Sequence, residues 1–219
     1  MNPLLRTPLL LAALLAARLA PAQAFFEGTL LFEVRMEGPQ AALIQENEPN
    51  TGMTMHLRGG DYIVNLTGGR YPKTFLFIAD SNYEYSVDAQ NRAAYRYSAY
   101  GDITREAEPI PVKAQPTGKT DSVAGVLCKE YLVKTGDATF LYYVSDQYRA
   151  DLSRFPDSPR TKAGFLAPGL EGRIPLKTIK RQPGLTVTTT VKKITPATFK
   201  PEQFRVPSSF TVKKRDYRY

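Results

Sequence analysis

The chain has 219 residues, 29 lysines and arginines against 21 acids, a formal charge of +8, one cysteine, one histidine and no tryptophan. A single thiol excludes an internal disulfide, so stability must come from a packed core, which a chain of this length can build. One histidine and one cysteine also exclude the ordinary zinc ligand sets unless several carboxylates join them.

Residues 1–24 read as a segment apart from the fold. Arg6 supplies a positive start, Leu9 to Leu19 an apolar run broken by Arg18, and Ala22-Gln23-Ala24 the small-x-small pattern that signal peptidase cuts after. The run is shorter than the ~20 residues that cross a bilayer as a helix. The expectation is a secretory signal, a mature chain from Phe25, and a periplasmic or secreted location. No cysteine closely follows the run, so acylation at a new N-terminus is not expected, and no later stretch reads as a membrane helix. Without Arg6 and Arg18 the formal charge is +6. Mixed signs along the chain fit a solvated surface, while a basic exported protein also suits acidic envelope polymers or lipid head groups.

Phe25 to Met36 alternates, with Phe26, Gly28, Leu30, Phe32 and Val34 on the more apolar side, and reads as a half-buried strand. Residues 39–50 read as a loop or short helical turn closed by Pro49-Asn50. Met53–Leu57 and Tyr62–Leu66 flank Gly59-Gly60 and form a predicted hairpin. Turns at Thr67-Gly68-Gly69-Arg70, Asp80-Ser81-Asn82 and Asp88–Asn91 separate three further strands, Lys73–Ala79, Tyr83–Val87 and Arg92–Tyr100. Glu106 to Pro116 carries three prolines and reads as an extended crossing or edge segment.

Val123 to Asp146 is the centre of the chain. Leu127–Val133 and Ala138–Val144 are strands joined by a turn at Thr135-Gly136-Asp137. Asp146 to Phe155 is the best helix candidate, because Tyr148, Leu152 and Phe155 follow helical spacing and Pro156 stops it. Residues 156–172 read as a Pro/Gly-rich loop, Arg173–Lys180 and Thr186–Ile194 as strands, Thr195–Phe204 as a prolyl loop, and Phe204–Pro207 as a short extended piece. Residues 212–219 read as a frayed basic tail. Together these elements predict one mainly-β domain over residues 25–211, a strongly curved antiparallel sheet or open half-barrel with one or two short helices.

The pattern Gly125-x-x-Cys128-x-x-Tyr131-x-Val133, followed by a turn and an aromatic strand ending in Asp146, resembles the signature of the envelope family called domain of unknown function 4412. Phe26-Glu27-Gly28, Gly172-x-Ile174-Pro175-Leu176 and Phe204-x-Val206-Pro207 follow that family's usual order. The resemblance implies an open β-half-barrel similar to the lipoprotein carriers LolA and LolB, and it transfers no catalytic residue. The chain departs from the family in lacking a tryptophan in the strand after the Cys-Tyr pattern, where Tyr142 or Tyr143 stands.

Signals for chemistry are sparse. His56 lies in a strand, where a lone histidine is usually structural. Cys128, in an alternating apolar run, reads as a buried small hydrophobe, although a meeting with His56 in space remains open. There is no Ser-x-x-Lys pair and no Gly-x-Ser-x-Gly elbow. Asp80–Glu84 only partly imitates a calcium loop, and Asn65-Leu66-Thr67 formally matches a glycosylation acceptor. Paired carboxylates cannot be chosen from sequence. Neither a metal nor a cofactor is expected, nor nucleic acid as a partner.

Thirteen tyrosines stand out. Tyr83 and Tyr85 share a face of one strand, Tyr95 and Tyr97 a face of the next, and the four are expected to form one patch, either a groove lining or ordinary sheet stabilisation. The leading expectation is a monomeric, non-enzymatic envelope protein that holds a lipid or lipoprotein acyl chain in the concave face. Met53, Met55, Phe75, Phe77, Tyr95, Tyr97, Phe140 and Tyr142 are the expected lining. The alternatives are a structural or interaction module with a self-filled core that binds an envelope protein partner, and a carboxylate-dependent hydrolase.

Overall fold

A computed structural model describes residues 25–47, 51–68, 73–81, 83–98, 113–154 and 169–214. Outside these lie residues 1–24, Pro49-Asn50, Gly69-Arg70, Asn82, Tyr100, Glu106–Val112, Phe155 to Pro168 and the last five residues, on which the expected signal and parts of several expected turns, loops and the tail fall. The strands are β1 (Gly28–Glu37), β2 (Gly52–Arg58), β3 (Asp61–Thr67), β4 (Lys73–Ile78), β5 (Tyr83–Asp88), β6 (Ala93–Ser98), β7 (Gln115–Val123), β8 (Val126–Thr135), β9 (Ala138–Arg149), β10 (Arg173–Gln182), β11 (Leu185–Pro196) and β12 (Thr211–Lys214). One α-helix, α1, spans Ala41–Asn47, and 3-10 turns occupy Ala79–Ser81, Leu152–Arg154 and Pro201–Phe204.

All twelve strands join one sheet in the order β12-β6-β5-β4-β3-β2-β1-β11-β10-β9-β8-β7. Every pairing is antiparallel except β12 with β6. The fold is therefore mainly β, a large open curved sheet with one helix. Local chemistry sets the hairpins. Val123 pairs with Val126, and the two residues between them close the hairpin in the turn form that takes positive φ at both, Ala124 at 48° and Gly125 at 79°.

Alternation divides the sheet into two faces. Opposed residues run in one row from Leu30 through Met55, Val64, Phe75 and Ser86 to Tyr95. On this Leu30 face a core collects Leu30, Phe32, Met55, Leu57, Tyr62, Val64 and Phe77, with Phe26, Ala79 and Ala150 packed in. The opposite face of β3–β6 is covered by the segment after β11: Leu76, Tyr85 and Ala94 cluster with Phe204, against Phe199 and Val206. An Arg58 Nε bond to the Phe199 carbonyl at 3.1 Å and a Phe199 N–H bond to Glu27 Oε1 at 2.7 Å anchor that segment.

At the other end the sheet curls hard. β7 comes into contact with β11, although three strands separate them in the sheet order. Flat strands so placed would stand ~19 Å apart. The Lys177 ammonium on β10 also reaches Asp121 on β7 at 2.8 Å, across β9 and β8. Both residues project from the face opposite Leu30, since Glu33, Thr190, Lys177, Tyr143 and Glu130 form one row and Asp121 opposes Cys128. The interior of this curl is therefore the opposite face. Register shifts in β1–β11, β9–β10 and β7–β8 accompany the curvature, as bulges increase local twist.

Four sequence expectations change. Asp146–Arg149 continues β9 instead of opening a helix, and only Leu152–Arg154 winds into a 3-10 turn. Tertiary contacts decide this: Phe26 N–H donates to the Arg149 carbonyl at 2.7 Å, and Tyr148 meets the Phe26 ring edge-on at 5.3 Å. β7 runs as a strand well beyond Pro116, although QPTGKTDSV has no apolar alternation; its order comes from pairing with β8. Residues 212–214, expected as tail, belong to β12 and pair with Ala94–Arg96. Phe204, the opening of the expected extended piece, ends a 3-10 turn and is 1% exposed, the extended course beginning at Arg205.

Candidate functional site

The sheet register places all eight expected lining residues on the Leu30 face. Met53 lies on it beside Met55; Met55, Phe75 and Tyr95 share one row, and Phe77 shares the next with Tyr97 through Glu84. Val34, Thr189, Thr178 and Tyr142 form a further row, and Phe140 is two residues from Tyr142 on the same side. Sharing a face is not sharing a wall. β9 sits where the sheet curls towards its other face, so Phe140 and Tyr142 point away from the curl interior, and there Tyr142 packs against the buried Val144 and Leu170, with burial pushing its hydroxyl up to about 12. Phe140 and Tyr142 form a separate unit, stacked at 5.7 Å and 3°, with the Lys180 ammonium 5.9 Å from the Phe140 ring.

Burial grades the remaining six. Phe77 and Met55 are 0% and 1% exposed and belong to the protein's own core, with Phe77 stacked on Tyr62 at 5.1 Å. Met53, Phe75, Tyr95 and Tyr97 are half-buried. One face of β2–β6 thus carries two sealed side chains beside one half-buried thioether and three half-buried aromatic rings.

The four tyrosines of β5 and β6 do not form one patch. Tyr83 opposes Ser98 and Tyr85 opposes Arg96, whereas Tyr95 opposes Ser86 and Tyr97 opposes Glu84. The two pairs therefore point to opposite sides, because residues opposed in an antiparallel pair share a face and their neighbours do not. Tyr85 is buried against Phe204, and Tyr83 lies 4.4 Å under the Arg96 guanidinium.

The curl interior holds a constellation that sequence reading missed. Glu130 is 4% exposed, and its carboxylate accepts bonds from the Tyr143 hydroxyl and from Thr117 Oγ1, the latter at 2.8 Å. The Lys177 ammonium lies 4.8 Å from the Tyr143 ring centroid and binds Asp121 Oδ2 at 2.8 Å. The Tyr143 bond holds Glu130 below the usual carboxylate range, and Lys177 does the same for Asp121. Burial first, then Glu130, pushes Tyr143 up to about 12. The available signal was Glu130 itself, a charge at a position that alternates with Cys128.

None of the described polar groups assembles a reaction centre. His56 bonds Thr29 Oγ1 at 2.9 Å through Nδ1 and meets Phe199 edge-on, and burial lowers its pKa. Cys128 is 0% exposed and burial pushes its thiol up to about 11, the reverse of an activated nucleophile. A hydrolytic acid needs a raised carboxyl pKa, yet Glu33, Asp88, Asp121, Glu130 and Asp146 are all lowered by bonds to their charged form. Asp80 bonds Arg154 at 2.5 Å instead of opening a calcium loop, and among the described residues no group of three or more His, Cys, Asp or Glu is placed to hold a metal. Asn65 is half-buried within β3 and its Oδ1 accepts from Thr74 at 2.8 Å, which ill suits a glycan acceptor. Among the described residues no helix is long and apolar enough to cross a membrane.

No family model and no curated protein sequence matches the chain, so the resemblance to domain of unknown function 4412 gains no support from those comparisons. Solved structures do match. PNGF-II superposes with a TM-score of 0.50 at 12% identity over 87% of this chain and 32% of its own, so the chain spans about a third of that protein. An uncharacterized conserved protein from Thermus thermophilus gives 0.49 at 8% identity, covering 86% of this chain and 91% of that one. A LolA superfamily protein from Nitrosomonas europaea gives 0.38 at 10% identity, covering 82% and 90%. At such identity the likeness to PNGF-II is one of fold alone.

Proposed function

We propose that the protein is an exported, non-enzymatic binding protein of the cell envelope that takes an apolar ligand, a lipid or acyl chain, on the Leu30 face of β2–β6. The observation that carries this reading is the set of half-buried Met53, Phe75, Tyr95 and Tyr97 on the same face as the sealed Met55 and Phe77. Rings and a thioether offer a chain polarisable apolar contact at little cost in side-chain order, and apolar concavities are where such ligands bind. The Phe140–Tyr142 pair on β9, where Tyr142 packs against Val144 and Leu170, is left out of this site. Native mass spectrometry of chain 25–219 from its own envelope, with organic extraction, is expected to find a stoichiometric lipid. Phe75→Ser is expected to reduce retention at least about ten-fold while Phe140→Ser leaves it unchanged. An apo mass, together with failure to retain added fatty acid, overturns the reading.

A second reading is an interaction module bound to another envelope protein, favoured by the complete burial of Met55, Leu57 and Phe77, which fills this face with the protein's own side chains. Its test is removal of residues 215–219, which keeps β12. Loss of partner capture with unchanged lipid retention would favour the module.

A further inference from the structure

The polar contacts inside the curl close on themselves. Thr117 on β7 donates to Glu130 on β8; Tyr143 on β9 donates to the same carboxylate; Lys177 on β10 covers the Tyr143 ring; and Lys177 returns to Asp121 on β7. Four successive strands are thus tied in a ring by side chains on one face. Three members, Lys177, Tyr143 and Glu130, are consecutive in one register row. Thr117 reaches Glu130 from inside the irregular stretch of β7, between Pro116 and Thr120, where Gly118 at φ +80° bends the strand. Cys128 lies beside this ring, opposed to Asp121 and on the same side of β8 as Glu130. Its thiol is 0% exposed and packs in the core with Val123 and Tyr143.

We infer that the ring is a clasp: it holds the β7–β8 hairpin down over Cys128, and its release opens that hairpin locally while the rest of the sheet stays folded. The closing link is the exposed one. The side chains of Lys177 and Asp121 are 23% and 41% exposed, whereas Glu130 is buried, so solvent competes first at the ion pair. Apolar packing backs it only at the hairpin turn, where Val123 and Val126 join the core, because the other β7 side chains are mostly exposed. β7 is also an end strand of the sheet, with β8 its hydrogen-bonded neighbour.

The single cysteine is the reporter. The folded chain 25–219 would be treated with N-ethylmaleimide at neutral pH and labelling followed by intact mass. Lys177→Met and Asp121→Asn are each expected to raise the labelling rate at least about five-fold, with Lys177→Arg close to the parent. Lys177→Met is the decisive variant. Removing a cation cannot make the thiol more acidic, so faster labelling there reports access and not thiolate chemistry. Low denaturant supplies the second readout: labelling by local opening is nearly independent of denaturant, whereas labelling through global unfolding rises steeply with it. Unchanged or slower labelling in Lys177→Met overturns the clasp. So does an equal rise in Lys177→Arg, or a denaturant slope equal to that of global unfolding.

Discussion

The two ends of this sheet are held by different physics. From β1 to β6 the Leu30 face is covered with apolar side chains, Leu30, Met55 and Phe77 among them, and over β3–β6 the other face is covered too, with Leu76, Tyr85 and Ala94 under Phe204. From β7 to β10 the inner face adds to its apolar residues, Val123 and Cys128 among them, a carboxylate, a phenol, an ammonium and a second carboxylate in contact. Apolar burial is large and non-directional, so the first end gains stability without specifying a curvature. Hydrogen bonds and ion pairs contribute less but demand geometry, so the second end gains a defined curl and tolerates no missing partner. Damage should therefore show differently in the two places: as lost stability at the apolar end, and as lost shape at the polar end.

The largest test is Phe77→Ala. Phe77 is fully buried and stacked on Tyr62, and its truncation should cost about 3–5 kcal/mol in equilibrium urea unfolding, with the Cys128 labelling rate under native conditions little changed. A cost below about 1 kcal/mol would show that this face is not packed, and would break the contrast.

Tyr143→Phe comes next. It removes one donor from the buried Glu130 carboxylate, and bonds to charged acceptors contribute about 1.5–3 kcal/mol. Glu130 is held below its ordinary range chiefly by Tyr143, so its contribution is fully present above the unfolded glutamate value and lost as pH falls through the lower folded value. The variant should therefore lose stability at neutral pH and begin acid unfolding at a higher pH than the parent. Coincident acid limbs, followed by circular dichroism, would remove Tyr143 from the account.

The smallest global effect is expected from Asp121→Asn. Its ion pair is partly exposed, so unfolding stability should change by less than about 1 kcal/mol. Lys177 lowers the Asp121 pKa, so the gap between parent and variant should close as pH falls through that lowered value. A large loss of global stability would make the ion pair part of the common core and merge the two regions.

Much of the fold was legible because it is local. Gly59-Gly60 and the Thr135-Gly136-Asp137 turn announce their hairpins, and the alternation of β1 names the buried side, with Leu30 and Phe32 in and Leu31 out. Period-two alternation puts Met53 with Met55, Phe75 with Phe77, Tyr95 with Tyr97 and Phe140 with Tyr142, and the register between strands sets all four pairs on one face. Alternation within a strand does not say how neighbouring strands are phased. That phase is why Tyr83 and Tyr85 part from Tyr95 and Tyr97. Asp146–Arg149 imitates a helix start because Tyr148, Leu152 and Phe155 have helical spacing, yet Phe26, more than a hundred residues earlier, holds the backbone extended.

By itself, then, the sequence determined the mainly-β class, most strand positions, the burial of Cys128 and the buried side of β1, all properties of a few consecutive residues and their period. Only the tertiary structure decided the sense of the curl, the split of Phe140 and Tyr142 from the other aromatics, the place of β12 beside β6, and the closure of Thr117, Glu130, Tyr143, Lys177 and Asp121 into a ring. Those depend on pairing between distant strands and on the curvature that register shifts impose, and neither is written in any one stretch of chain.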